Sequence, residues 1–286
     1  MQIVTDRGAD LSAQQLQGLN IHFAPLRITL DNRTYTSGVD LQQDAFYEML
    51  ANTESYPTTS TPSAGDFVDL YRSLAKTDPE ILSIHISSGL SGTLNTAKMA
   101  AQMVPEAKVT FFDSKTLSCP LGWQVEAAAR AAQAGMNIEQ VVALLERIRQ
   151  KTEGLFTLNS LKYLIHGGRI SHLKGLVGSL LNIKPIIGPE KDKGMYETKA
   201  QEITFNRAIQ RIVSLIESWY PRGSSLRLQL LHGSNEKGIE LLRQYLSAAF
   251  DCRWLPTVRV APVLGAHTGP SLVGLAVGPL DVADLS

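Results

Sequence analysis

Two runs of small hydroxylated residues constrain this chain most. They are Thr58-Thr59-Ser60-Thr61-Pro62-Ser63, leading into Ala64-Gly65-Asp66, and Ser87-Ser88-Gly89-Leu90-Ser91-Gly92-Thr93. Each stands where extended chain gives way to helix. The first N–H groups of a helix lack intrahelical partners and carry partial positive charge, and Ser or Thr hydroxyls beside them add rotatable donors. Such a place can hold a carboxylate or phosphate without a formal cation. Pro62 suits an opening helical turn, and Ser63-x-x-Asp66 reads as a capping box for the helix that follows. Ile81 to Ile86 is a short apolar run ahead of the second loop, so strand, tight turn and helix follow in α/β order. On the residues alone, ordinary N-caps with no ligand remain the alternative.

The chain of 286 residues is long enough for two domains sharing a cleft. Residues 1–153 alternate strand and helix, as a parallel doubly wound sheet does, while 154–286 read as a second α/β domain with a more antiparallel sheet. In the first half, Ile3 to Asp6 reads as a strand pointing Asp6 and Arg7 at a cleft. His22 to Leu30 alternates in β fashion into the turn Asp31-Asn32 and a returning strand. Ser118 is placed to cap an Ala-rich helix. In the second half, Leu161 to His166 reads as a short helix stopped by Gly167-Gly168, and Ile183 to Pro189 pairs with Met195 to Thr198. The uncharged run Val260 to Leu280 is long enough for a membrane span, but three prolines and His267 argue against one. It is expected to form two strands around a glycine-rich loop.

Charges balance at 27 basic and 27 acidic residues, which gives a nucleic-acid polyanion no basic field to bind. Cys119 and Cys252 stand apart with no zinc or disulfide pattern, so no metal is expected and a cytoplasmic setting is. The glycine loop lacks the Gly-Lys-Ser/Thr of a P-loop, and no dinucleotide fingerprint follows a strand, so no nucleotide cofactor is expected. It misses the Gly-x-Ser-x-Gly elbow by one residue, Thr93. A small-molecule hydrolase or transferase using Ser91 as nucleophile and His267 as base is therefore the alternative function. His85 and His232, beside or within strands, read as structural histidines. His267 lies in Gly265-Ala266-His267-Thr268-Gly269-Pro270, a loop suited to presenting an imidazole and a hydroxyl.

In this order, the two hydroxyl runs, Asp113-Ser114, Leu161 to Ile170 with its Gly-Gly-Arg-Ile ending, Ile183-Lys184-Pro185 and His267-Thr268-Gly269-Pro270 resemble the DegV family over essentially the whole length. The resemblance implies a two-domain, non-catalytic subunit that buries one long-chain fatty acid. It implies further that the carboxylate is presented to a separate, ATP-binding fatty acid kinase, with at most transient membrane contact. Carried over by position, Thr61 and Ser91 would bind the carboxylate, with Ser88, His267 and Thr268 close to the head. Arg169 would lie at the entrance and face the kinase. The apolar stretch Leu176 to Leu181 would line the tunnel or cover a partner surface. Arg7, Trp123 and Ser271 depart from the family's usual residues.

Overall fold

The computed structural model describes residues 1–173 and 183–284. The first half runs β1 (Gln2–Asp6), α1 (Ala13–Leu16), β2 (Ile21–Ala24), β3 (Arg27–Leu30), β4 (Arg33–Thr36), α2 (Gln43–Ala51), β5 (Thr58–Ser60) and α3 (Ala64–Ala75). It continues with β6 (Glu80–His85), α4 (Thr93–Ala101), β7 (Lys108–Asp113), α5 (Ser118–Gln133) and α6 (Ile138–Lys151). The second half runs β8 (Glu153–Thr157), α7 (Lys162–His166), a 3-10 turn at Arg169–His172, β9 (Lys184–Pro189), β10 (Tyr196–Glu202), α8 (Phe205–Trp219) and β11 (Ser225–His232). It ends with α9 (Glu236–Ala249), β12 (Asp251–Trp254), β13 (Val258–Arg259), α10 (Pro262–Thr268) and β14 (Val273–Pro279). The expected stretch Leu176 to Leu181 lies outside the described residues.

The N-terminal sheet is parallel, in the order β2-β1-β6-β7, so strand order reverses between β1 and β6. Its strands alternate faces. Val4 and Ile81 pack with Phe67 and Tyr71 of α3 and Ala97 and Ala100 of α4. Ile3, Leu82 and Ile84 join a larger core with Leu121, Val125 and Ala128 of α5. The C-terminal sheet runs β10-β9-β8-β14-β11-β12, antiparallel except that β12 and β13 lie parallel to β11. Helices α8 and α9 cover it with Ile209, Ile212, Ile216, Leu242 and Leu246, recurring at helical spacing.

Four local expectations are corrected. The alternation from His22 to Leu30 is broken at Pro25, which has no N–H to give a ladder. β2 thus stays in the parallel sheet, while β3 opens a separate antiparallel sheet, β4-β3-β5, whose Asp31 and Asn32 turn has φ of 50° and 61°. Val260 to Leu280 holds not two strands but helix α10 followed by β14, with Pro262 in the first turn. Every residue of α10 is buried, so the helix has no polar face and no helical periodicity to read. Finally, Ser63 rather than Pro62 opens α3, and Ser118 does not cap α5 but donates its hydroxyl to Asp10.

Polar ties join the halves. The buried Trp123 indole N–H of α5 donates to Gln229 on β11 at 2.7 Å, and Gln229 donates to Gln15 of α1 and to the Pro256 carbonyl. Gln15 donates on to Glu126, which also receives Arg227 at 3.2 Å. Trp123 thus acts as a cross-brace. Asp10 is a second brace: Oδ2 accepts from Ser118 and Oδ1 from the Ala261 N–H at the start of α10.

Burial pushes the Asp10 carboxyl up to about 7 against the pull of the Ser118 and Ala261 donors. The native state therefore holds a proton there that the unfolded chain has released, and this contribution to stability falls as pH rises from about 4 to about 7. Asp10→Asn reproduces the neutral form, with its amide facing Ser118. The variant's urea midpoint relative to the wild type is expected to climb across that window; a constant difference would contradict the assignment.

Candidate functional site

The crevice lies beyond the carboxyl ends of β1 and β6, at the reversal of strand order, where open α/β sheets place ligands. Its walls are set by Asp6, which is fully buried. One oxygen accepts the Gly8 N–H at 2.8 Å, and the other accepts the Ile86 N–H at 3.0 Å and lies 2.9 Å from His85 Nδ1. His85 continues to Ser83 at 2.7 Å, and Ser83 to Tyr71 at 2.8 Å. The carboxylate thus fastens the loop after β1 to the loop after β6. Gly89 in the latter is pressed against the turn between β9 and β10; a Cβ there would lie 2.5 Å from the Lys193 carbonyl. His85 is structural, as expected.

The two hydroxyl loops differ at their helices. Helix α3 closes its own N-terminus: Ser63 and Asp66 form a capping box, and Asp66 also takes both nitrogens of Arg27, at 2.7 and 2.8 Å. The Arg27 hydrogen bonds hold the Asp66 carboxyl well below the usual range. No external anion is needed there. Helix α4 begins at Gly92 with no capping side chain.

A cavity of about 70 Å³ opens between the loops, lined by Thr59, Ser60, Thr61, Ser91, Arg169 and His267 with apolar Leu26, Ile86, Leu90, Leu117, Val263 and Leu264 and the ring of Tyr196. Thr61 has no hydrogen-bond partner among the described residues. Ser91 pairs with Thr93 at 2.9 Å. His267 Nε2 lies 2.7 Å from Thr59 Oγ1, while its Nδ1 is buried without a partner. Burial, and then the nearby Arg169 charge, lower the His267 imidazole to about 3, so it is neutral at pH 7. Arg169 brings a cation into this wall, anchored by donation to the Gly167 carbonyl at 2.6 Å. Gly167 must lack a side chain: a Cβ would meet His267 Nδ1 at 2.1 Å.

A second cavity of about 30 Å³ adjoins the first, for Leu117, Tyr196 and Leu264 line both. Phe156, Leu231, Val260, Leu272 and Leu275 make much of its wall. A polar end thus meets an apolar continuation, which suits an amphiphile with an anionic head.

Of the residues singled out from sequence, Thr61, Ser91, His267 and Arg169 come together, Arg169 in the cavity wall itself. Thr268 lines the apolar cavity and donates its hydroxyl to the Leu264 carbonyl at 3.1 Å. Ser88 is not brought into either cavity; its N–H and hydroxyl both serve Asp113. Ser271 accepts the Asn159 N–H at 3.1 Å. Thr59 and Tyr196 were not singled out. Thr59 had a signal: in an extended run, positions 59 and 61 share a face, and Thr58 and Ser60 between and before them are exposed. Tyr196 had none, since it comes from the far end of another sheet. Among the described residues, the nucleophile arrangement is not assembled: Ser91 bonds Thr93, His267 bonds Thr59, and no carboxylate orients the free ring nitrogen.

Comparison with known proteins agrees with this architecture. The family model described as "Uncharacterised protein, DegV family COG1307" matches residues 1–279. The DegV domain-containing protein SA1258 of Staphylococcus aureus (strain N315) is 36% identical over 275 residues, covering 96% of this chain and 97% of its own. A fatty-acid-binding DegV family protein from Thermus thermophilus superimposes with a TM-score of 0.86 at 29% identity, covering 98% of this chain and 99% of its own. DegV of Bacillus subtilis, described as a fatty acid binding protein, does so with a TM-score of 0.87 at 28% identity, covering 97% and 98%. With its parallel N-terminal sheet, mostly antiparallel C-terminal sheet and family match across nearly its whole length, the chain belongs to the DegV family.

Proposed function

We propose that this chain binds one long-chain fatty acid, its carboxylate among Thr61, Ser91, Arg169 and His267 and its acyl chain in the apolar continuation. The observation that carries this reading is the shared boundary of the two cavities at Leu117, Tyr196 and Leu264. About 15 methylenes at about 0.8 kcal/mol each give on the order of 12 kcal/mol before ordering costs, so the tail dominates affinity and few polar groups suffice to orient the head. The enclosed space is smaller than the roughly 300 Å³ at which ligand pockets begin. Leu117, Tyr196 and Leu264 are therefore the side chains that move when the chain enters.

The bound carboxylate is activated by a separate ATP-dependent fatty acid kinase: the carboxylate oxygen attacks the γ-phosphorus of ATP, the bond from that phosphorus to the bridging oxygen breaks, ADP leaves and an acyl phosphate forms. Family resemblance supports this context, and the cavity chemistry suits it. The chain itself supplies binding and orientation. Thr61 and Ser91 donate to the head, Arg169 offsets its charge, and the neutral His267 donates a single hydrogen bond from the ring nitrogen that Thr59 leaves free.

Mass spectrometry of an organic extract of the purified protein is expected to show a near-stoichiometric long-chain fatty acid, depleted in a Thr61→Ala, Ser91→Ala double variant. A clean extract with no uptake of added fatty acids would overturn the reading, and turnover of a small ester lost in Ser91→Ala would favour the hydrolase. Leu264→Trp is expected to weaken binding of a long chain about tenfold or more, or about 1.4 kcal/mol, while sparing shorter ones. Loading with fatty acid is expected to raise the pKa of His267 by about 1–3 units, because an adjacent anion favours the imidazolium. Proton NMR titration of loaded and delipidated protein checks this.

A further inference from the structure

A cavity of about 510 Å³, sharing no residue with the two already described, lies at the carboxyl ends of β1 and β2. Its floor holds Arg7, whose guanidinium is stacked 4.1 Å from the ring centroid of Phe23. Its aliphatic stem lies against Gly38, where a Cβ would meet Cδ at 3.4 Å. The side chain is thus fixed along two sides. Among the described residues, no carboxylate lies within ion-pair distance of it.

The neighbouring charges are already engaged. Arg259 at the rim is paired with Asp44 and with Glu236. Asp10 has one oxygen bound to Ser118 and the other to the Ala261 N–H. Among the described residues, Arg7 alone of the cavity's charged groups has no ion-pair or hydrogen-bond partner. Burial lowers its proton affinity, which is the mark of a cation stripped of water without a compensating anion. The Arg7 guanidinium carbon lies over the Phe23 ring, and its N–H groups donate no hydrogen bond among the described residues, so they remain open to an oxyanion. Gln43, elsewhere in the cavity wall, makes no side-chain hydrogen bond within the described residues and adds amide donors. The volume falls in the range of small-molecule sites, and the position beyond parallel strands is where such folds bind ligands.

We propose that this cavity is a second ligand site, taking the carboxylate or phosphate of a small polar molecule on Arg7. It is separate from the fatty-acid cavity, although helix α10 contributes Pro262 to one and His267 to the other. The site does not depend on the fatty-acid reading.

The test uses the full chain labelled with 15N-arginine, titrated with inorganic phosphate and with acetate at constant ionic strength, following the Nε–Hε resonance that Arg7→Lys removes. A saturable shift of that resonance is expected with one of the two anions and not with chloride; whichever anion acts identifies the head group. Calorimetry with that anion is expected to show a loss of about tenfold or more in Arg7→Ser, equivalent to about 1.4 kcal/mol. The Thr61→Ala, Ser91→Ala variant is expected to keep the anion response, which separates this site from the fatty-acid head site. A linear shift equal in phosphate, acetate and chloride would overturn the proposal. So would equal anion affinity in wild type and Arg7→Ser. Because the resonance shift is read on the wild type, misfolding of a variant leaves the proposal open to refutation.

Discussion

The carboxylate of Asp6 is the constraint on which both cavities depend. It is buried and satisfied by two backbone N–H groups and the His85 ring, so it contributes less as a charge than as a fastener. Through Gly8 it fixes the loop that carries Arg7 and Asp10. Through Ile86 it fixes the loop that carries Ser91. A buried group with three hydrogen bonds spread over both oxygens permits one arrangement and penalises the others, which is what placing hydroxyls around a ligand head requires. The other polar residues lining the cavity of about 70 Å³ come from three further places, the end of β5, the turn at Arg169 and helix α10.

The division of labour between polar and apolar walls follows from the same geometry. Parallel strands end together, so their following loops converge and offer backbone amides and hydroxyls in one place. The apolar cavity instead lies where α5 and the C-terminal sheet meet, and it draws on residues as distant in sequence as Leu117 and Leu275. No local run of sequence encodes such a cavity. It arises from which inward faces happen to oppose one another after packing.

That distinction explains what could be read beforehand. The alternation of strand and helix, the hydroxyl loops and the capping box at Ser63 are local patterns, and each appears where the residues indicated. Thr61, Ser91 and His267 were picked out through motifs that resemble the family's, and their side chains come to one cavity wall. Helix α10 was not, since burial on every side erases the polar face that would betray its period. The partners of Ser88 and Trp123 were illegible for another reason: Asp113 and Gln229 are fixed by strand register, and Gln229 lies 106 residues away from Trp123. Arg7 was conspicuous as a departure, but only the Phe23 ring of the neighbouring strand shows how it is held.

The cross-brace from Trp123 through Gln229 and Gln15 to Glu126 bears on how the two halves of the chain can move. Parting them would break, all at once, the hydrogen bonds of an indole N–H, two amides and a carboxylate, so small displacements at this seam gain nothing and the brace acts as a latch that is either closed or wholly undone.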